Sequence, residues 1–277
     1  MQSFRKRLLS KIAVGFASLA IAGTAAAETY KIGVVPQFEA LRLTGIWTPI
    51  VNELEKRTGY DFELVGSPNI PAFETNFENG VYDFAYMNPY HSIMARDAQG
   101  YTQILRDGSR NLFGILVVRL GSPLQDAKEL DGKTVAFPAP NALGASLLMR
   151  AELDMLHDTQ VDANYVSTHS SAYLNTLLGE AEASGGVKST FDSLDEPLKQ
   201  NLRILYETSR VPPHPIAAHP RVPQEVVDAF QNAILELAAT EEGHEMLSKI
   251  PMRQAVATTP EEYLPLAEMN LENYVVK

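Results

Sequence analysis

Tyr82-Asp83-Phe84-Ala85-Tyr86-Met87-Asn88-Pro89-Tyr90-His91 is the stretch whose reading decides the fold. An apolar, aromatic run of strand type stops at Asn88-Pro89, and polar side chains follow at once. Pro89 suits the first turn of a helix, where its missing N–H is not needed. Asn88 suits the cap before it. The stretch therefore predicts a short buried strand, a tight turn and a helix opening at about Pro89. Helix starts turn unpaired N–H groups and a partial positive charge outward, which favours anions. With Tyr90 and His91 on that first turn, the pattern fits an anion pocket at a strand end. It also fits an ordinary strand-to-helix turn with a packed aromatic, and these ten residues alone favour that plainer reading.

Upstream, Tyr30 to Pro36 reads as a strand running into a loop. Ile46, Ile50, Val51 and Leu54 recur on one face and predict a helix from Ile46 to Arg57, with Gly59 as its stop. Tyr60 to Val65 alternates as a strand does, and Pro71 to Asn79 reads as a helix closed by Gly80. Strand and helix thus alternate three times, which predicts right-handed crossovers onto a mostly parallel sheet. Ligands bind such sheets at the carboxyl ends of the strands. Pro36-Gln37-Phe38 and Asn88-Pro89-Tyr90 both lie at such ends.

Downstream the alternation restarts. Leu112 to Arg119 is a long apolar strand, Asp126 to Leu130 a short helix, and Lys133 to Phe137 another strand. Pro138 to Gly144 is a loop opening a helix from Ala145 to Leu156, so strand, Pro/Asn turn and helix recur. Asn164 to Ser167 reads as a strand, and Thr168-His169-Ser170-Ser171 caps a helix through Leu178. Strands follow at Ala183 to Val187 and Leu202 to Thr208. Pro212-Pro213-His214-Pro215 and His219-Pro220 form a stiff extended connection. Helices close the chain from Pro223 to about Ala239, from Glu241 to Leu247, and from Pro260. The fold class is α/β, with two lobes of mostly parallel sheet flanked by helices and two inter-lobe crossings. The first lobe takes residues 28 to about 116 and about 211 to 277, and the second about 117 to 210. A cleft between such lobes is the usual place for a small ligand.

Composition bounds the function. Arg5-Lys6-Arg7, the apolar run Ile12 to Ala22 and Ala25-Ala26-Ala27 have the form of an export signal cleaved after Ala27. Periplasmic localisation is expected. Removing residues 1–27 takes away four basic residues and no acidic one, so the net charge moves from −11 to −15. A surface this acidic argues against nucleic acid and anionic membrane as partners. The chain has no cysteine, which excludes disulfides, thiolate chemistry and a cysteine metal site.

His169 is the most pointed candidate, because its ring, the hydroxyls of the Thr168-His169-Ser170-Ser171 cluster and a helix start converge there. His91 fits either a brace behind Tyr90 or a packing role. His214 and His219 read as structural or solvent-facing parts of the crossing. Trp47 and Phe38 are candidates to wall a pocket, although single aromatics are more often core. Glu152 and Asp154 read as a solvated helix face. No metal spacing, Gly-x-Ser-x-Gly elbow, phosphate-binding Walker loop or nucleophile–base pair occurs, so no enzyme, metal or cofactor is expected.

With these residues placed, the mature chain resembles the substrate-binding proteins of phosphonate, phosphite and phosphate-type ABC importers, the PhnD-like family of type II periplasmic binding proteins. The resemblance rests on Ile32 to Pro36, Trp47-Thr48-Pro49, Tyr82 to His91, Lys133 to Phe137, Thr168-His169-Ser170 and Pro212 to Pro215. It implies a two-lobe type II periplasmic binding fold closing on a small oxyanion. It carries ligand contact over to Tyr90, His169 and Trp47. The family's helix-start loop is rich in Ser and Thr, whereas Asn141-Ala142-Leu143-Gly144 here carries no hydroxyl, leaving backbone N–H groups as donors. Each lost hydrogen bond to a charged oxygen is worth roughly 1.5–3 kcal/mol, which points to a ligand that is smaller, less charged or not a phosphonate. The implied partner of a monomer is an inner-membrane ABC permease, or, in the alternative, a membrane sensor kinase that reads the ligand state.

Overall fold

The structure, a computed structural model, describes residues 28–250 and 252–276; the expected export signal lies outside them. β1 (Thr29–Val34) pairs in parallel with β2 (Asp61–Val65) on one side and β3 (Phe84–Tyr86) on the other, through α1 (Ala40–Thr58) and α2 (Ile70–Glu78). α1 ends at Gly59, whose φ of 74° is the left-handed stop that a side chain resists. Its start, Ala40, is earlier than the apolar stripe indicates, because the first turns are largely exposed and carry no stripe. After β3, Asn88 accepts the His91 N–H at 2.8 Å and caps α3 (Pro89–Gln99). β4 (Thr102–Asp107) then carries the chain out of the lobe.

The second sheet begins with β5 (Gly114–Arg119), followed by β6 (Thr134–Phe137). A π-helical turn, Leu143–Leu147, leads into α4 (Leu148–His157). β7 (Asp162–Tyr165), α5 (His169–Leu178), β8 (Ala183–Val187), the short α6 (Lys188–Asp192) and α7 (Glu196–Lys199), and β9 (Leu202–Glu207) complete the lobe. The chain returns through β10 (Ile216–Ala218), α8 (Gln224–Ala238), α9 (Glu241–Ser248), β11 (Ala255–Ala257) and α10 (Leu264–Ala267).

The sheet orders are β11-β4-β10-β3-β1-β2 and β7-β6-β8-β5-β9. Most strands in each sheet share a direction, and the antiparallel exceptions tell where the lobes face. β10, arriving from the second lobe, inserts antiparallel between β3 and β4. β5, arriving from the first, inserts antiparallel between β8 and β9. A chain that leaves one sheet at its carboxyl edge and enters the next reversed has entered at that sheet's carboxyl edge too. Both carboxyl edges therefore flank the crossings. The two crossings pair with each other, Leu112 and Val211 exchanging N–H···O bonds of 2.9 Å each. β5 opens at Gly114, so the chain has joined the second sheet before residue 116, the boundary read from the sequence.

Phe84 stacks on Phe230 at 4.1 Å and Trp47 meets Tyr86 at 5.3 Å in the first core. That core continues across the cleft: Val35 and Tyr90 share one buried cluster with Ala142, Leu143, Ala145 and Val187 of the second lobe. The second lobe also has a core of its own around Leu116, Val135, Phe137 and Met149. Gly114 and Gly185 allow the π-helical turn to lie on the second sheet. A Cβ at Gly114 would fall 1.9 Å from the Gly144 carbonyl oxygen, and one at Gly185 2.0 Å from that of Ala145.

Candidate ligand-binding site

At the paired carboxyl edges lies a small inter-lobe cavity. Val35, Gln37, Ile70 and Asn88 line it from the first lobe, His214 from the return crossing, and Ala142 to Ala145, His169 and Val187 from the second. The room for a water's centre is about 10 Å³, about what one water needs. Leu143, Gly144 and Ala145 open the π-helical turn, so their N–H groups have no intrahelical acceptor, and Ala142 before them supplies no side-chain cap. Gln37 Nε2 lies 3.3 Å from His214 Nε2. Thr168 caps α5 by accepting the Ser171 N–H, which sets His169 on the first turn with its Nδ1 3.3 Å from Thr190 Oγ1.

Among the described residues, no Lys, Arg, Asp or Glu lines the cavity. Burial lowers the His169 pKa to about 4. Burial, with the like charges of His91, His169 and Arg110, lowers that of His214 to about 3. Both rings are neutral at neutral pH. Outside the cavity, Arg110 is held at 3.0 Å by the buried Asp107 and lines a separate outer cavity with Lys249, Arg253 and Asp192.

The cavity brings together His169, Ala142, Leu143 and Gly144 of the residues singled out in the sequence. Tyr90 is nearly buried and packs into the shared core instead; Asn88, its capping neighbour two residues earlier, reaches the cavity. Trp47 lies behind Tyr86 in the core, since a large apolar ring on the buried face of α1 has nowhere else to go. Phe38 lies under the Arg42 guanidinium at 3.9 Å and lines an outer cavity of about 160 Å³. Ser170 is half-buried beside His169, and its side chain does not line the cavity. Asn141 braces the lobes. Its carbonyl accepts from Asn88 Nδ2 at 3.2 Å, and its side chain meets Glu74 at 3.3 Å and the backbone of Val276 at 2.9 and 3.0 Å. Gln37 and Asn88 come from the two strand-end stretches marked in the sequence, whereas His214 is a cavity residue that the sequence reading left as structural or solvent-facing. The signal for His214 was its place on the crossing, which must pass beneath the cleft. Glu152 is buried, not solvated, and binds Tyr206 and Ser209 where the return crossing begins.

The chain matches the family model described as "ABC transporter, phosphonate, periplasmic substrate-binding protein" over residues 32–263. It belongs to that family. The binding protein superposes on a component of an ABC phosphonate transporter from Pseudomonas aeruginosa with a TM-score of 0.82 at 13% identity, covering 90% of this chain and 88% of that one. PhnD1 from Prochlorococcus marinus, solved with methylphosphonate, gives 0.82 at 14% identity, covering 90% and 100%. A Xanthomonas citri protein bound to chloride gives 0.71 at 15%, covering 89% and 99%. These likenesses establish the two-lobe fold. No curated protein sequence matches. The family consists of substrate-binding proteins, not enzymes, and membership implies an exported periplasmic protein. Among the described residues, no helix is long and apolar enough to cross a membrane, and no group of His, Asp or Glu side chains converges as metal ligands.

Proposed function

We propose that the binding protein captures a small oxyanion of the phosphonate, phosphite or phosphate type between its lobes and presents it to an inner-membrane permease. The observation that carries this reading is the inter-lobe cavity lined by Leu143, Gly144 and Ala145, whose N–H groups have no helical acceptor, and by the amide-bearing Gln37 and Asn88. Donors held this way suit anionic oxygens. Arg110, Lys249 and Arg253, which outnumber Asp192 in the outer cavity, support approach of an anion to a chain that is acidic overall. A ligand carrying an ammonium group fits poorly, because among the described residues no carboxylate lines the cavity to receive it.

Closure follows from differential affinity. Asn88 and Gln37 stand on one lobe and the turn at Leu143 on the other, so only the shut arrangement offers all donors at once. The family match favours a permease over a sensor kinase as the partner, and a monomer is sufficient for this site. Thermal-shift measurement with phosphate, phosphite, methylphosphonate, arsenite and methylsulfonate tests the reading. A ligand at a hundred times its Kd should stabilise the fold by about 2.7 kcal/mol. No rise in melting temperature with any of them would overturn the oxyanion reading.

A further inference from the structure

His169 stands between the cavity and Thr190, and the hydrogen bonds around Thr190 decide what the ring offers a ligand. Thr190 Oγ1 lies 2.8 Å from the Val187 carbonyl oxygen, 2.9 Å from the Tyr173 hydroxyl and 3.3 Å from His169 Nδ1. A threonine hydroxyl has one hydrogen to donate. A carbonyl has none, and two oxygens this close repel unless a hydrogen lies between them. The Thr190 hydrogen is therefore committed to Val187. Gly186 makes the arrangement possible, since a Cβ there would fall 1.9 Å from the Tyr173 hydroxyl. The contact with His169 is then a bond only if Nδ1 carries the ring's proton. A neutral imidazole has a single N–H, which leaves Nε2 as a bare acceptor. Among the described residues Nε2 has no protein partner, and the ring lines the cavity.

The rest of the lining is complementary. Asn88 and Gln37 each keep one amide N–H beyond those turned to the Asn141 carbonyl and to His214, the N–H groups of Leu143, Gly144 and Ala145 have no helical acceptor, and among the described residues no Lys or Arg lines the cavity to balance a second negative charge. We propose that the cavity selects the singly protonated monoanion of its ligand, His169 Nε2 accepting the ligand's own O–H, so that fully ionised oxyanions and oxyanions without a hydroxyl are rejected. This deepens the oxyanion reading and rests on it. Thr190 acts here as a positioning residue, fixing the tautomer. The titratable and charged groups around His169 are His214 across the cavity, Tyr173 through Thr190, Lys188 and Asp192 on α6, and Arg110 and His91 beyond His214.

Calorimetric titration of the mature protein tests the proposal, from pH 5.5 to 8.5 and in buffers of different ionisation enthalpy. Methylphosphonate should bind with constant affinity below its own second dissociation. Above it, affinity should fall tenfold per pH unit, with one proton taken up per ligand bound. Methylsulfonate, of like shape and charge but without an O–H, should bind at least about tenfold more weakly, because an acceptor stays unpaired. Thr190→Val frees the tautomer and should narrow that gap. Affinity rising with pH through the ligand's second dissociation, or methylsulfonate binding as tightly as methylphosphonate, would overturn the proposal while leaving the oxyanion reading intact. Binding of neither, nor of phosphate or phosphite, at any pH would overturn both.

Discussion

His91 and His169 each lie on the first turn of a helix, one in each lobe, each behind a capping side chain and each buried. Their partners separate them. His91 Nε2 meets the Glu74 carboxylate at 2.9 Å, wedged between Phe73 and Phe77. His169 meets only the neutral hydroxyl of Thr190 and keeps its other nitrogen for the cavity. The same residue in the same local setting is thus a fastener in one lobe and a cavity-lining ring, the ligand contact of our proposal, in the other. What decides is the group brought in from elsewhere in the chain: Glu74 from α2, or Thr190 from α6.

The contrast breaks most readily on stability. His91→Ala strands Glu74 and opens a void, and should cost about 3 kcal/mol, read as a lower denaturant midpoint. Its effect on oxyanion affinity should stay within a few-fold. His169→Ala should do the reverse, weakening methylphosphonate by about 1.5–3 kcal/mol in calorimetry and shifting the midpoint less than His91→Ala does. If both variants lose affinity equally, the assignment of separate roles is wrong.

Acid sharpens the comparison. His169 and His214 have folded pKa values of about 4 and about 3, below the unfolded value of about 6.5. As pH falls through 6.5 the unfolded chain takes up protons that the folded chain refuses. Stability is therefore complete above about pH 6.5 and declines toward pH 4, by about 1.4 kcal/mol per pH unit for each histidine. His169→Asn should lower that slope by about 1.4 kcal/mol per pH unit, a difference from the parent in which the contributions of His214, His219 and the carboxylates cancel. An unchanged slope would mean that the His169 ring takes up its proton as readily folded as unfolded.

The smallest effect concerns the C-terminal tail. Tyr274 donates to Asp154 at 2.6 Å, Arg150 donates to the Tyr274 carbonyl at 2.8 Å, and Val276 is held by Asn141. The tail thereby ties the lobes beside the cavity. Tyr274→Phe should raise the ligand off-rate by the equivalent of about 1 kcal/mol, measured by stopped-flow chase.

The sequence carried those parts of the fold that local chemistry dictates. Asn88-Pro89, Thr168, Gly59, Gly100 and Gly179 mark helix ends because caps and left-handed stops are properties of a few adjacent residues. β10 was hidden: Ile216-Ala217-Ala218 is too short to alternate, and it is a strand only because β3 and β4 receive it from both sides. The site divides in the same way. His169 and the turn at Leu143 were legible as helix starts. His214 was not, because proline-flanked chain reads as connection until the crossing is seen to run under the cleft. Trp47 and Tyr90 lie in the core here, and an aromatic at a pocket and one in a core look alike in sequence.

The strand that each crossing delivers also bears on how the protein is assembled. Everything in the second sheet comes from one unbroken run, Gly114–Glu207, so that half can finish as soon as it has emerged from the membrane. The earlier-made half cannot, for the strand at its centre is still to come. A fragment ending at residue 113 should stay unfolded by circular dichroism, whereas one covering 108–212 should fold. Secretion would then build this protein out of order, the middle before the beginning, with an unfinished edge exposed until the return crossing arrives.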